Sequence, residues 1–191
     1  MHFLATAFLS AILSLQVSAI LIAPSPTPNS TELWTIPDLA THFMGANSGL
    51  PGGWPTNTGF NSTVSFTLNL ALNTSTQCST NWTQPFYPTA YIPCTDLVSQ
   101  FQLQNTPDRN FSEGDFVLNV KAPGMHSSFR TNITFTASVH VSSDNLADPS
   151  SYLTCLGGAP LSGIHCAMNG MISVPGPIKL LAVANATSAK T

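Results

Sequence analysis

Four cysteines, Cys78, Cys94, Cys155 and Cys166, carry the most definite chemistry in this 191-residue sequence. Their thiolates would suit zinc if they came as close Cys-x-x-Cys pairs. No such pair is present. In an oxidising compartment an even number of cysteines implies disulfides instead, and four allow three connectivities. Two local pairs, Cys78–Cys94 and Cys155–Cys166, are preferred because each closes a short excursion beside a strand. By chain entropy each loop of this size is worth roughly 3 kcal/mol.

Other reactive side chains assemble only on paper. Ser162 and His165 are close in sequence, and Asp144 or Asp148 would complete a hydrolytic triad, but any chain with 22 serines offers such sets. Glu113 and Asp115 would share one face of a strand roughly 6–7 Å apart, a separation that invites a glycosidase reading. The local Ser112-Glu113-Gly114-Asp115 reads better as a solvated turn. His140 and His165 fall on the polar parity of their strands, where two imidazoles on adjacent strands could bind a metal or sense pH. Single surface histidines usually do neither, and His42 and His126 carry no further signal. No P-loop, dinucleotide fingerprint, nucleophile elbow or HExxH occurs. The expectation is a protein that is not an enzyme, with no cofactor and no metal.

Asn-x-Ser/Thr occurs seven times, at Asn29, Asn61, Asn73, Asn81, Asn110, Asn132 and Asn185. A glycan can leave only from an exposed asparagine. Alternate side chains of a strand face opposite sides. In Val64–Leu72 the even positions are large and apolar, which puts Asn61, and Asn73 if the strand runs that far, on the polar side. In Ile133–Val141 the odd positions are apolar and Asn132 falls on the polar side. Glycosylation is expected at most of Asn61, Asn73, Asn81, Asn110 and Asn132.

Glycans would supply a polarity that the composition lacks. Only 7% of residues are charged, five Lys+Arg against eight Asp+Glu, with 43% hydrophobic; an ordinary soluble domain carries about 25% charge. Arg109, Lys121, Arg130, Lys179 and Lys190 are scattered singly, so nucleic-acid binding, which needs clustered cations, is excluded.

The elements that must position these residues read as strands. Period-two alternation between Pro and Gly breaks marks Leu33–Ile36, Val64–Leu72, Leu97–Leu103, Asp115–Lys121, Ile133–Val141, Tyr152–Cys155, Ile164–Val174 and Ile178–Ala184. This pattern predicts an all-β fold, a compact antiparallel β-barrel or sandwich. Phe3–Leu15 is a mostly apolar run followed by Val17-Ser18-Ala19, which predicts a signal peptide over residues 1–19, although a positive n-region is missing. Residues 20–31 read as a Pro/Ser/Thr-rich linker, 32–185 as the β-domain and 186–191 as a polar tail. No later apolar stretch approaches the ~20 residues of a spanning helix, and no lipid-anchor tail is expected. The long loop Gly45–Gly59, with Pro51-Gly52-Gly53-Trp54-Pro55, is the place to look for function. Trp34 is assigned to the core. Trp54 is the candidate partner-binding aromatic, and loop packing is the competing role.

The order of these features resembles the small secreted fungal proteins typified by the major allergen of Alternaria. Leu33-Trp34-Thr35-Ile36 looks like the opening strand of that family. Cys78 to Tyr91-Ile92-Pro93-Cys94 looks like its first disulfide loop. Tyr152-Leu153-Thr154-Cys155-Leu156-Gly157-Gly158 and His165-Cys166-Ala167-Met168-Asn169-Gly170 are similar to its second pair. The resemblance spans roughly residues 33–184. It implies a β-barrel with no established enzyme activity, acting as an allergen or an effector that engages plant defence proteins of the thaumatin-like type. The family's type member has a further cysteine near its mature N-terminus; residues 20–77 here have none, so no covalent dimer is expected. The alternative is a structural cell-wall or surface glycoprotein without a specific ligand.

Overall fold

The structure is a computed structural model that describes residues 30–124 and 133–186. It is all-β, with eleven strands: β1 Thr31–Ile36, β2 Leu39–Phe43, β3 Ser62–Asn69, β4 Ser75–Trp82, β5 Ile92–Pro93, β6 Gln100–Gln104, β7 Asp115–Pro123, β8 Ile133–Ser142, β9 Leu153–Gly157, β10 Ile164–Met168 and β11 Ile178–Ala186. They form one antiparallel sheet in the order β5-β6-β7-β8-β11-β1-β3-β2-β10-β9, with β4 on the far edge of β3. Among the described residues no helix is long and apolar enough to cross a membrane.

Two residues dictate the branching of this sheet. Between β1 and β2, Pro37 lacks the N–H that a ladder needs. The four-residue step from Thr35 to Leu39 is matched by a three-residue step from Asn69 to Phe66. That is a one-residue bulge, which bends the strand. Asp38 repairs the gap: its carboxylate accepts the Thr67 N–H at 2.8 Å and the Thr67 hydroxyl at 2.9 Å. The bend sends the outer edge of β1 to β11 and the outer edge of β2 to β10.

The hydrogen-bonded ladder does not close. Its β4 and β5 edges instead meet at a staple, where Cys78 of β4 is bonded to Cys94 with Cα atoms 4.3 Å apart. Beside it the Thr95 N–H donates to the Gln77 carbonyl at 2.8 Å. The second disulfide, Cys155–Cys166, joins residues directly opposite in the β9–β10 ladder, Cα atoms 4.0 Å apart. Both expected pairings are present, and no cysteine is left over.

The inward positions follow the alternation of the sequence. Trp34 and Ile36, Val64, Phe66 and Leu68, Phe116, Leu118 and Val120, and Ile178 and Leu180 are all buried. Phe66 meets Phe101 edge-on at 5.1 Å, tying β3 to β6 through the interior. Each fully buried phenylalanine contributes about 1.5–3 kcal/mol.

All eight expected strands exist, with corrected ends. The strand expected over Val64–Leu72 stops at Asn69 because the Leu70 N–H turns back to the Thr74 carbonyl and Asn73 takes φ 59°. Ile164–Val174 stops at Met168, where Asn169 takes φ 61°. Leu97 is exposed in a turn with φ 63°, so β6 begins only at Gln100. Three strands, β2, β4 and β5, were not expected. In β2 and β4 the large apolar inward residues, Leu39 and Trp82, stand at one end and the other buried positions are Thr41, Thr76 and Cys78, which hides the alternation.

Candidate functional site

A groove of about 720 Å³ opens where one end of the sheet meets its loops. Its walls are the β6–β7 connection with Thr106, Asp108 and Arg109, the start of β7 with Gly114 and Asp115, and the end of β8 with His140 and Ser142. Ser143, Asp144, Asn145 and Asp148 from the following loop complete the rim, and Phe43, Cys155 and Ile164 contribute apolar surface. Thus half of the eight acidic residues in the sequence line one groove, together with one of the five Lys+Arg. The described residues outside the groove carry four acidic side chains, Glu32, Asp38, Asp96 and Glu113, and two basic ones, Lys121 and Lys179. Four carboxylates against one guanidinium give the lining a formal charge of −3.

The four carboxylates are held differently. Asp115 accepts His140 Nε2–H at 2.7 Å and Arg109 Nη1–H at 3.2 Å. Asp148 locks the loop: its carboxylate takes the Ser150 amide, the Ser150 hydroxyl and the Ser142 hydroxyl at 2.8, 2.7 and 3.0 Å. Those bonds, led by the Ser150 hydroxyl, hold its carboxyl below the ordinary value of 3.8. Asp144 accepts the Cys155 N–H at 2.9 Å and so covers the free edge of β9. Asp108 is exposed on the rim. The Thr106 hydroxyl is buried without a hydrogen-bond partner, in a residue only 9% exposed.

Strand alternation puts a second cluster on the opposite face of the β2–β10 ladder. Ile164 pairs with Phe43 beside the groove, and the next pair is His165 with His42. The His42 and His165 rings stack at 3.9 Å, and Phe60 stacks on the other side of His42 at 4.5 Å. His42 donates from Nε2 to the Ser162 carbonyl at 2.7 Å; a carbonyl only accepts, so that nitrogen bears the proton. Trp54 packs edge-on against Phe60 at 5.8 Å and donates its indole N–H to the Gly45 carbonyl at 2.8 Å. Its ring is half-buried.

The residues considered for catalysis do not converge as the sequence suggested. Ser162 spends its hydroxyl on the Ala159 carbonyl at 2.7 Å, and His165 is stacked on His42. Glu113 is buried in a different place from Asp115, accepting Ser62 Oγ at 2.9 Å and Gln84 Nε2 at 2.6 Å. The two carboxylates line separate cavities, because Glu113 lies in the turn before β7 and Asp115 is the first residue of the strand. His140 and His165 are not on adjacent strands, since β11, β1, β3 and β2 lie between β8 and β10 in the sheet order.

Asn61, Asn73, Asn81, Asn110 and Asn185 are all exposed, while Asn29, Asn132 and His126 lie outside the described residues, as do 1–19 and most of the 20–31 stretch. Asn73 is exposed through its turn, not through strand parity. Asn61 donates to the Asn81 side-chain carbonyl at 3.1 Å, and Thr83 donates to Asn61 at 2.9 Å, so two of the sequons touch. Trp82 is buried although its neighbour Asn81 is exposed, because consecutive residues of β4 face opposite sides.

Sequence reasoning missed Asp108, Thr106 and Asn145 and did not connect the acids into one site. A signal existed. Five of the eight acidic residues fall between positions 108 and 148, in two segments that β7 and β8 bring to the same end of the sheet. No protein-family model matches the chain, and a search of the curated proteins finds no match.

Proposed function

We propose that this is a secreted, non-enzymatic glycoprotein that acts by binding, an effector or allergen-like protein of the fungal type it resembles, with a plant thaumatin-like defence protein as the partner class. The observation that supports binding is the groove: a charge-poor chain gathers half of its acidic residues in one groove of a stapled sheet. Rigid placement of such loops lowers the ordering cost of association. Two disulfides are compatible with an extracellular protein, and exposed sequons fit passage through a glycosylating pathway.

The test is direct. The secreted chain, immobilised, is exposed to a purified plant thaumatin-like protein. Saturable, stoichiometric binding is expected, with the fungal protein recovered from culture filtrate. Recovery only by harsh extraction from cell walls, with no binding, would replace this reading with that of a structural wall glycoprotein.

A further inference from the structure

Resting on the reading that this protein acts by binding, we propose that the groove between the β6–β7 connection and the loop after β8 receives a lysine- or arginine-rich peptide segment of its partner. The first support is charge. The lining holds Asp108, Asp115, Asp144 and Asp148, half of the acidic residues of the chain, against Arg109 and His140. A concave site lined by one sign of charge focuses its field on ligands of the opposite sign.

The second support is independent of charge. The Thr106 hydroxyl is buried in the lining with no partner among the described residues. Leaving a buried hydroxyl unpaired is unfavourable, and a peptide backbone laid in the groove would bring both donors and acceptors to it.

Spacing argues for an extended polycation over a single ion. Among the described residues no three His, Cys, Asp or Glu side chains come close enough to hold a metal ion. The carboxylates instead line a groove of about 720 Å³, within the range that receives drug-sized or peptide groups. Asp108 on the rim and the second oxygen of Asp144 are the acceptors for incoming cations. Asp115 is partly neutralised by Arg109, whose side chain is 76% exposed and free to swing away.

The experiment uses the full secreted chain and fluorescein-labelled hexalysine, followed by anisotropy at low and physiological salt. One-to-one binding that weakens with salt is expected, with no binding of hexaglutamate. The double variant D108N/D144N should lose at least tenfold in affinity; Asn at 144 still offers an oxygen to the Cys155 N–H, so the fold is kept. Arg109→Ala should shift affinity the other way, severalfold tighter. Thr106→Val should weaken binding severalfold without lowering the melting temperature, because it removes a hydroxyl that the free protein leaves unpaired.

Hexalysine binding that D108N/D144N and Arg109→Ala leave unchanged, or no binding at all, overturns the inference. If the thaumatin-like partner still binds and ignores these substitutions, only the groove assignment fails. If neither ligand binds, the binding function itself fails.

Discussion

His42 and His165 face each other across the β2–β10 ladder with their rings 3.9 Å apart and 10° from parallel. The pair holds the β9–β10 hairpin to the body of the sheet from one side, and the Ser162 carbonyl on His42 Nε2 holds the hairpin tip. Two substitutions separate these contributions. His42→Phe keeps a stacking surface and loses the hydrogen bond; His42→Ala loses both. We expect thermal stability to fall in the order wild type, Phe, Ala, with about 1 kcal/mol for the hydrogen bond. Equal melting temperatures for the two variants would show that the stack contributes nothing.

The two disulfides span 16 and 11 residues, so chain entropy assigns each about 3 kcal/mol. Their settings differ. Cys155–Cys166 lies inside a ladder paired from Leu153 to Gly157, while Cys78–Cys94 staples sheet edges that are not paired as strands. Replacing Cys78 and Cys94 together by Ala should therefore cost more than replacing Cys155 and Cys166, measured by urea denaturation. It should also lower protection of the Thr95 amide, which bonds the Gln77 carbonyl across the seam. Non-reducing peptide mapping should recover both local pairs and no Cys78–Cys155 peptide.

The strands that were legible in the sequence are those whose inward residues are large and apolar. Phe116, Leu118 and Val120 in β7 announce their face; Thr76 and Cys78 in β4 do not, since hydroxyl and sulfur positions look the same inside and out. The cysteine pairing was legible because each pair is local. The groove was not. Asp108 and Asp144 are 36 positions apart in the sequence, and only the β7–β8 register, with Asp115 opposite Ser142, makes them neighbours of one cavity. Nor could sequence separate Glu113 from Asp115: alternation was applied to a strand that begins only at the second of them.

Glycosylation should be visible as mass. Asn61, Asn73, Asn81 and Asn110 are exposed, so enzymatic deglycosylation of the protein made in a eukaryotic host should shift its mass, and Asn→Gln at these positions should lower solubility or yield more than affinity for a partner. Unshifted mass would remove the glycan reading. Asn61 and Asn81 should behave as a coupled pair, because their amides already hydrogen-bond each other.

Acid should loosen the groove wall through Asp148. The Ser150 hydroxyl and amide, with Ser142, hold its carboxyl below the ordinary 3.8. A folded pKa below the unfolded one contributes stability that is fully present above the unfolded value and is lost as pH falls through the folded value. Melting temperature should thus hold at neutral pH and decline as pH drops through and below 3.8. In Asp148→Asn the neutral-pH melting temperature should be lower and the acid decline shallower. An unchanged acid slope in the variant would show that this carboxylate does not couple to folding.

Trp54 tests what the Gly45–Gly59 loop is for. Its indole N–H is spent on the Gly45 carbonyl, and its edge rests on Phe60, which stacks on His42. Removing the ring therefore takes one hydrogen bond and one aromatic contact from the chain that ends at His165. Together these are worth about 1–2 kcal/mol, or roughly 2–8 °C for a domain of this size. Trp54→Ala should show that loss, and Trp54→Phe, which keeps the aromatic edge, about half of it. A binding role for the exposed part of the ring has a different signature: tenfold or greater loss of partner affinity in Trp54→Ala with little change in melting temperature. The Ser48 carbonyl, which accepts the Leu161 N–H at 2.7 Å, fastens the loop to the β9–β10 hairpin independently of the ring. The loop should consequently stay docked in both variants, and hydrogen exchange at the Leu161 amide is the measurement that verifies it. Slow exchange there, with a lowered melting temperature and unaltered affinity, makes Trp54 a packing residue and leaves recognition to the acidic groove on the other face.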